Sequence, residues 1–540
     1  MDKPLLTSDL KIKFLGITPV FSDETGVLNP QQIVALSALL TFKGKSIKNL
    51  LEDIKEKNPD IDDRIIKILK KSSLRGHASI ATTPSLCLSY EGSKFLDAVL
   101  TGIVFSSSLV SSGRRTDTTE QDIVFPDKIF KNEKAKDIYE KASKELIDIY
   151  NYFLQKGVQK DEASKLLQYG IFGTGIVNLP IESIVGLKRE YLAEKDWMPE
   201  EVAALLKEIE KEFKNFGLDL LYSMREAAPR NVYPHPNIFK NPAKSNIVRE
   251  LRKKEQMPKG TKLLSMEVMM TPGLEEKLKF LDKRTKEIAG SLKEIKEKWP
   301  ELISLRQEIL RDYNQALRFK ILSSIPWRVW GEKKRHRTVP QIIESIYFCA
   351  ERTAEYFEKI AKEIKENEIS RDLIEKIQEV FSIPPSIENN PEFLQKYLLC
   401  AKNSFSAYRS LIELGIKPNE AIFLIPRAVK IDILQDYDLY NFLTGYFPLR
   451  LCSTAEEEMK RKTLIEASDI KEELKNKGYA WLADLLVPKC LTVGFCPEEK
   501  SCGFIKKMVK DYNDDFHKEM KGNLQERFEK KLKNLGDKIE

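Results

Sequence analysis

Apolar and polar residues alternate in a few short runs of this chain, whereas longer segments carry apolar residues at helical spacing. Alternation predicts strands at Ile12–Leu15, Leu86–Tyr90 and Leu317–Leu322. The apolar run Phe95–Phe105 predicts a buried helix. Helical spacing predicts further helices over residues 134–156, 199–226, 274–318, 347–367, 393–415 and 454–478, and a charged helix or frayed end over 506–540. The sequence therefore predicts a mixed α/β fold, or α+β in detail.

Composition narrows the class of protein. The 540 residues, 42% of them hydrophobic, are enough for two or more domains with cores of their own. A net charge of +7 suits a phosphate-bearing ligand, and without a recognition module it does not indicate nucleic-acid binding. The opening residues lack the apolar core of a secretory signal, and no apolar stretch is long enough to span a membrane. We expect a cytoplasmic protein.

The seven cysteines, an odd number in a long chain, do not form the pattern of a disulfide framework. Cys490, Cys496 and Cys502 stand six residues apart near the end of the chain. Three thiols at this spacing can bind a metal with a fourth ligand such as His517, but paired Cys-x2-Cys ligands are closer together. We therefore favour buried or free thiols over a metal site, and we expect His235 and His517 at the surface.

Short polar motifs accompany the predicted strands. Gly76-His77-Ala78-Ser79 precedes the strand at Leu86, and Ser112-Gly113-Arg114 follows it. In the second half, Arg335-His336-Arg337 follows the strand at Leu317, and Arg450 comes later. Arginine forks bind phosphate bidentately, and the triplet has three residues in a row that can carry positive charge and would repel one another without an anion. The alternatives are a solvated basic turn for the triplet, a core position for His77, and a helix cap or a carboxylate partner for Arg450.

Together these motifs resemble those of the flavin-dependent thymidylate synthases, over most of both halves of the chain. The sequences of that family have an Arg-His-Arg motif followed by a Ser-x-Arg motif. A Gly-His pair precedes both motifs, and a further Arg lies far downstream of them. In this frame Leu86–Arg114 corresponds to Phe319–Tyr347 at a constant offset, as an internal repeat would. The resemblance implies two diverged copies of a helix-flanked antiparallel-sheet domain, over residues 1–240 and 274–505, with a linker over 241–273 and a charged tail over 506–540.

The two copies differ in the motifs that they retain. In the first copy, Gly102-Ile103-Val104 occupies the Arg-His-Arg position. In the second copy, Ser345 falls at the family's second Ser, but Tyr347 takes the place of the Arg that follows. Further departures from the family pattern are Val110 for Glu, Arg115 for Tyr and Glu332 for Gln. Because the losses are complementary, we expect composite sites to which each copy contributes one motif.

The resemblance also implies chemistry. It predicts an enzyme that converts dUMP to dTMP, with FAD as cofactor and with NADPH and methylenetetrahydrofolate as co-substrates. A homodimer of the duplicated chain would form a pseudo-tetramer. The alternative is a non-catalytic or re-purposed flavin- and nucleotide-binding protein. The resemblance assigns cofactor binding to His77, Ser79, Arg335, His336 and Arg337, assigns substrate binding to Ser112, Gly113, Arg114, Ser345 and Arg450, and names no catalytic residue or metal ligand.

Overall fold

The computed structural model describes residues 4–23, 26–57, 61–73, 79–113, 116–228, 235–257, 260–289, 291–365, 369–509 and 512–536. The strands are β1 Leu5–Leu6, β2 Lys11–Thr18, β3 Phe21–Asp23, β4 Gly26–Leu28, β5 Ser85–Ser93, β6 Ser107–Val110, β7 Val124–Phe125, β8 Phe172–Pro180, β9 Thr261–Val268, β10 Leu317–Pro326, β11 Gln341–Ile343 and β12 Lys430–Asp438. The helices are α1 Pro30–Lys43, α2 Ile47–Lys57, α3 Ile61–Ser73, α4 Ser79–Thr82, α5 Lys94–Leu100, α6 Asp127–Lys131, α7 Glu133–Gln155, α8 Lys160–Ala163, α9 Ile181–Ala193, α10 Glu200–Glu212, α11 Asp219–Ala227, α12 Ile247–Lys254, α13 Pro272–Ala289, α14 Leu292–Tyr313, α15 Trp327–Lys333, α16 Ile346–Lys359, α17 Arg371–Val380, α18 Pro385–Glu388, α19 Pro391–Glu413, α20 Pro418–Ala421, α21 Leu439–Leu443, α22 Tyr446–Arg450, α23 Glu457–Asn476, α24 Ala480–Ala483, α25 Lys489–Val493, α26 Phe504–Met508 and α27 Asp514–Gly536. Within these ranges, no helix has the length and apolar character needed to cross a membrane.

The chain folds into two compact units whose sequence segments alternate. The first unit contains residues 1–246, 326–335 and 343–431, and the second contains residues 247–325, 336–342 and 432–540. This division differs from the expected boundaries, which assigned residues 343–431 to the second domain. The physical reason is the pairing of two amphipathic helices, α7 and α19, which pack along each other within the first unit.

The first unit contains an antiparallel sheet with the strand order β2-β5-β8-β6. Along β5, the alternating residues Leu86, Leu88 and Tyr90 are buried, as the sequence pattern predicts. β5 pairs with β8 over its whole length. At its end, the Ser93 hydroxyl accepts hydrogen bonds from two backbone N–H groups of α5, so the strand leads directly into a capped helix.

The second unit contains the sheet with the order β9-β10-β12-β11. Here the expectation of a linker over residues 241–273 is wrong, because the segment contains α12 and β9. Val248 of α12 is buried in an apolar cluster with Leu322 and Leu434. β9 pairs antiparallel with β10, with Thr261 opposite Ser323. The proline- and lysine-rich composition concealed a segment that contributes to the core.

Most of the predicted elements are confirmed, and the differences occur where the backbone turns. The three predicted strands form β2, β5 and β10, and the helices over 134–156, 393–415 and 454–478 form α7, α19 and α23. The helix predicted over Phe95–Phe105 ends at Leu100, and Phe105 has a positive φ of 62° and a ring that is 63% exposed. The helix predicted over 199–226 is divided at Gly217, whose φ of 61° is left-handed.

Several elements of the first half of the chain have counterparts in the second half, in the same order and in several cases with the same length. β5 ends at Ser93 and β10 ends at Pro326, and each leads at the next residue into a helix of 7 residues, α5 or α15. Helices α7 and α19 each have 23 residues, and α8 and α20 each have 4 residues. The strands that follow them, β8 and β12, each have 9 residues. The strand orders β2-β5-β8-β6 and β9-β10-β12-β11 place corresponding strands at the same positions of the two sheets.

Candidate functional site

The first unit contains a cleft with about 540 Å³ of empty space that is open to solvent. It is formed by α5, by the loop that follows β6, by α15 and by the segment before β12. Five of the side chains that line it are cationic and two are acidic. The cationic residues are Lys94, Arg328, Lys334, Arg335 and Arg427; the acidic ones are Asp97 and Glu332; and the remaining lining residues are Ala98, Thr101, Val110, Ser111, Ser112, Gly113, Tyr169 and Gly331.

Lys94 positions the loop on one side of the cleft. Its ammonium group donates to Asp97 at 2.8 Å and to the backbone carbonyl of Ser111 at 2.9 Å. Because Lys94 and Asp97 are both buried, burial lowers the pKa of Lys94 and raises that of Asp97, while their mutual attraction opposes both shifts. The ion pair holds Ser111, and with it the adjoining Ser112 and Gly113, against α5.

Helix α15 supplies the opposite side of the cleft. Nη1 of Arg328 donates to Oε1 of Glu332 at 3.1 Å, one helical turn along. This ion pair offsets the negative charge that Glu332 brings to the cleft. Lys334 donates to the backbone carbonyl of Ala98 and lies over the ring of Trp330. Arg335, the first residue of the Arg-His-Arg motif, follows directly and is exposed at the cleft.

Arg427 lies at the base of the cleft, and our reading of the sequence missed it. It is only 3% exposed, and its Nε donates to the carbonyl of Leu167 at 3.2 Å. Within the described part of the chain, Nη2 of Arg427 is buried and meets no hydrogen-bond partner. Burial and the nearby charge of Arg328 lower the pKa of Arg427 to about 10, which leaves it cationic at neutral pH. A lone arginine in the apolar run Ala421–Leu434 is the sequence signal that could have identified it.

The cleft brings together some of the predicted site residues. Ser112 and Gly113, from the first motif, and Arg335, from the second, line the same space. His77 and Arg114 lie outside the described residues. Ser79 begins α4 and is exposed.

Ser345 is not among the residues that line this cleft. It is 3% exposed, and its hydroxyl donates to the carbonyl of Lys240 at 2.6 Å. The Tyr347 ring, at the position of the family's Arg, is buried, and its hydroxyl donates to the carbonyl of Trp197. Both side chains therefore hold the start of α16 in place within the first unit.

The second unit contains the other half of the predicted motifs. Nε of Arg450 donates to Nε2 of His336 at 2.8 Å, and the imidazole lies edge-on to the ring of Tyr446 with 5.0 Å between ring centres. Nε2 of His336 is therefore an acceptor, so the proton of the neutral ring lies on Nδ1. Arg337 is exposed. Arg450 thus orients the imidazole of the Arg-His-Arg motif.

His235 differs from its expected surface position. Its Nδ1 accepts a hydrogen bond from the backbone N–H of Val104 at 3.0 Å. Burial lowers the pKa of His235 to about 4, so this ring is neutral at physiological pH. The histidine therefore supports the turn that occupies the Arg-His-Arg position of the first half.

Several buried cations converge in the cleft with fewer carboxylates, so the charge of its lining is suited to an anionic ligand. Residues 316–472 match the family model described as thymidylate synthase complementing protein. The chain is 31% identical over 130 residues to the flavin-dependent thymidylate synthase of Pyrococcus furiosus. This alignment covers 23% of this chain and 50% of that protein. It is 32% identical over 151 residues to the flavin-dependent thymidylate synthase of Pyrococcus horikoshii. This alignment covers 28% of this chain and 58% of that protein.

Solved structures are also similar. A UMP/dUMP methylase, PolB from Streptomyces cacaoi with 5-Br dUMP bound, aligns with a TM-score of 0.32 and 10% identity over 42% of this chain and 97% of its own. Thymidylate Synthase X from Helicobacter pylori with FAD and dUMP aligns with a TM-score of 0.30 and 15% identity. This alignment covers 40% of this chain and 99% of that one. Over residues 316–472, the chain is therefore similar to the flavin-dependent thymidylate synthases. The chain spans about half the length of the curated relatives it matches.

Proposed function

We propose that this protein is a flavin-dependent thymidylate synthase-like enzyme that methylates dUMP to dTMP, with FAD as cofactor and with methylenetetrahydrofolate and NADPH as co-substrates. The observation that carries the proposal is that Ser112 and Gly113 line one cationic cleft together with Arg335. These residues come from the two different motifs of the family. Their convergence supports a composite site in which each half of the chain contributes one motif.

The duplication of the chain is part of this proposal. The recurring series of helices and strands, several of them with equal lengths, supports two copies of one domain, as do the matching strand orders of the two sheets. Residues 343–431 then belong to the second copy by descent and to the first unit by packing. We propose in addition that two chains assemble as a homodimer, which has the four domain copies of a pseudo-tetramer.

The residues of the cleft fit a nucleoside monophosphate. Its phosphate carries nearly two negative charges, and the buried Nη2 of Arg427 is a donor that such an oxyanion would satisfy. Ser112 and Gly113 line the same space. Lys94 keeps the Ser112 loop in place through Ser111. In the proposed reaction, these groups bind and orient the substrate.

The Arg-His-Arg motif fits an anionic flavin. We propose that Arg335, His336 and Arg337, with His77 and Ser79, hold FAD, and that Arg450 contributes by fixing the imidazole of His336. When bound, FAD supplies the redox chemistry that links NADPH oxidation to reduction of the transferred carbon. The protein's own residues neutralise charge and position the reactants.

An assay of dTMP formation tests the function. We expect the purified full-length protein to convert dUMP to dTMP only when FAD, NADPH and methylenetetrahydrofolate are all present. The Arg335→Ala variant should lose at least about tenfold in activity and in flavin occupancy, because a charge-assisted contact contributes about 1.5–3 kcal/mol. The matched control is Arg371→Ala, an exposed arginine in α17 that lies outside the cleft.

The second candidate function is a flavin- and nucleotide-binding protein without turnover. The observation in its favour is Glu332, a carboxylate paired with Arg328 at the position where the family usually has the amide of a Gln. This candidate predicts tight binding of dUMP and FAD with no dTMP formed under the conditions above. The same assay, run together with a binding titration, separates the two functions.

A further inference from the structure

Four cysteines of the second unit that are dispersed in the sequence come together beside α22. Cys452 follows α22 by two residues, Cys490 lies in α25, and Cys496 and Cys502 lie between α25 and α26. Helices α22 and α25 pack against each other. The hydroxyl of Ser453 donates a hydrogen bond to the sulfur of Cys502. This bond connects the segment after α22 with the far end of the cysteine-bearing loop.

Cys490 lies close enough to the other three thiols of the group to interact with them electrostatically. Cys490 and Cys496 are each 6% exposed, and both belong to the apolar cluster that includes Tyr512. The charge of a Cys490 thiolate interacts with those of Cys452, Cys496 and Cys502. Because these interactions fall off with distance, the four sulfurs occupy one neighbourhood of the second unit.

From the sequence, His517 was considered as a fourth metal ligand. In the structure, both of its ring nitrogens lie near other groups. Its Nδ1 lies 3.2 Å from the hydroxyl of Tyr512, and its Nε2 lies 3.3 Å from the carbonyl of Glu499. The ring is buried, contrary to the surface position that we expected. Cys452, which lies well before Cys490 in the sequence, completes the group of four instead.

The sulfur atoms receive hydrogen bonds of the kind that stabilise thiolates. The Thr454 hydroxyl donates to the sulfur of Cys452 at 3.3 Å, and the backbone N–H of Leu491 donates to that of Cys490.

We propose that Cys452, Cys490, Cys496 and Cys502 together bind a [4Fe–4S] cluster. Four thiolates with hydrogen-bond donors to sulfur are the ligand set of such a cluster. In the described ranges, no three His, Cys, Asp or Glu side chains stand close enough to hold one metal ion. An iron–sulfur cube binds each thiolate to a different iron, so its ligand sulfurs stand farther apart than four around a single zinc.

The cluster would join two parts of the second unit that the sequence separates. It would fix the loop over residues 490–502 to the segment directly after α22. Arg450 lies only two residues before Cys452, and its guanidinium holds His336. A loaded cluster therefore restrains the same segment that presents Arg450. Because Cys502 is exposed, one edge of the cluster would be open to solvent and sensitive to oxygen.

The test is elemental analysis of the full-length protein, produced and purified without oxygen in iron-supplemented medium. We expect about four iron and about four acid-labile sulfide per chain, and an electron paramagnetic resonance signal after reduction with dithionite. Iron and sulfide do not depend on bound flavin, so this readout is independent of the proposed synthase activity. One zinc per chain without sulfide overturns the cluster, and so does protein that contains neither metal nor sulfide after anaerobic reconstitution with iron and sulfide.

Serine variants assign the ligands. Cys496→Ser and Cys502→Ser should each lose more than half of the iron and sulfide, because a cube with three thiolates is less stable. Cys87→Ser in β5 of the first unit is the matched control and should keep the full content. Cys502 is exposed, so its variant tests the assignment even where a buried substitution impairs folding. Full iron and sulfide in Cys502→Ser removes Cys502 from the site and contradicts the four-cysteine assignment.

Discussion

Gly113 lies directly against the buried guanidinium of Arg427: a Cβ atom added to Gly113 would stand 3.4 Å from Nη1 of Arg427. The glycine of the Ser-Gly-Arg motif therefore leaves open the space in front of the arginine at the base of the cleft. Since Nη2 of that arginine is buried without a partner in the described part of the chain, this space is where an oxyanion would bind.

Filling this space should weaken nucleotide binding without unfolding the protein. In Gly113→Val, the added methyl groups would occupy the volume before Arg427, and we expect the Kd for dUMP to rise about tenfold or more. The control is Gly16→Ala in β2, where an added Cβ meets no atom within 4 Å. Isothermal titration calorimetry gives both affinities. Equal Kd values for Gly113→Val and the wild type would place the nucleotide elsewhere.

Removing the charge of Arg427 should have a larger effect. A charge-assisted hydrogen bond contributes about 1.5–3 kcal/mol, so Arg427→Met should weaken dUMP binding by about 10- to 100-fold. Arg427→Lys should recover part of the loss, because it keeps a cation but not the fork. Arg409→Met is the control, since Arg409 pairs with Glu351 outside the cleft. A similar loss in both methionine variants would point to a general effect of charge removal.

Arg450 and His336 should act as one unit. Because Arg450 holds the imidazole through its Nε, we expect Arg450→Ala and His336→Ala each to lower kcat/KM for dTMP formation at least about tenfold. The double variant should lose little more than the more damaged single variant, because both changes disrupt the same interaction. Steady-state kinetics on the four proteins measures this coupling. Additive losses would show that the two residues act independently.

Glu201 should make stability fall as the pH rises. Its carboxyl is buried and accepts hydrogen bonds from Ser93, and burial raises its pKa from 4.5 to about 7. Between about pH 4.5 and 7 the folded protein binds the proton and the unfolded chain releases it, so the free energy of unfolding decreases across this window. Above pH 7 this contribution is fully lost.

The Glu201→Gln variant tests this pH dependence, because it stays neutral at every pH. We expect it to be more stable than the wild type at pH 8, by about 1–3 kcal/mol, and to differ less at pH 5. Urea denaturation at the two pH values gives the free energies of unfolding. A difference that is the same at both would assign the effect to packing rather than to the proton.

The local part of the fold could be predicted from the sequence, because it depends on local spacing. Alternation at Leu86–Tyr90 and helical spacing over 134–156 and 393–415 predicted elements that the structure contains. The positions of turns were missed where single residues decide them, as at Gly217 and Phe105. The alternation of chain segments between the two units was also missed, because pairing of α7 with α19 is a tertiary preference that leaves no local signature.

Only those residues of the candidate site that belong to family motifs could be predicted from the sequence. Ser112, Gly113 and Arg335 were identified from motifs, and they line one cleft. Arg427 is not part of a motif, and it lines the cleft beside residues that are distant from it in the sequence. Such convergence depends on the tertiary fold, which the spacing of residues along the chain does not specify.

The most direct test of the composite site is the absorbance spectrum of the purified full-length protein, recorded during titration with dUMP. We predict flavin bands, either as purified or after reconstitution with FAD, that shift as dUMP binds. The shift should require higher dUMP concentrations in Arg427→Met than in Arg409→Met. A colourless protein that does not take up FAD, or flavin bands that do not change with saturating dUMP, would contradict the account.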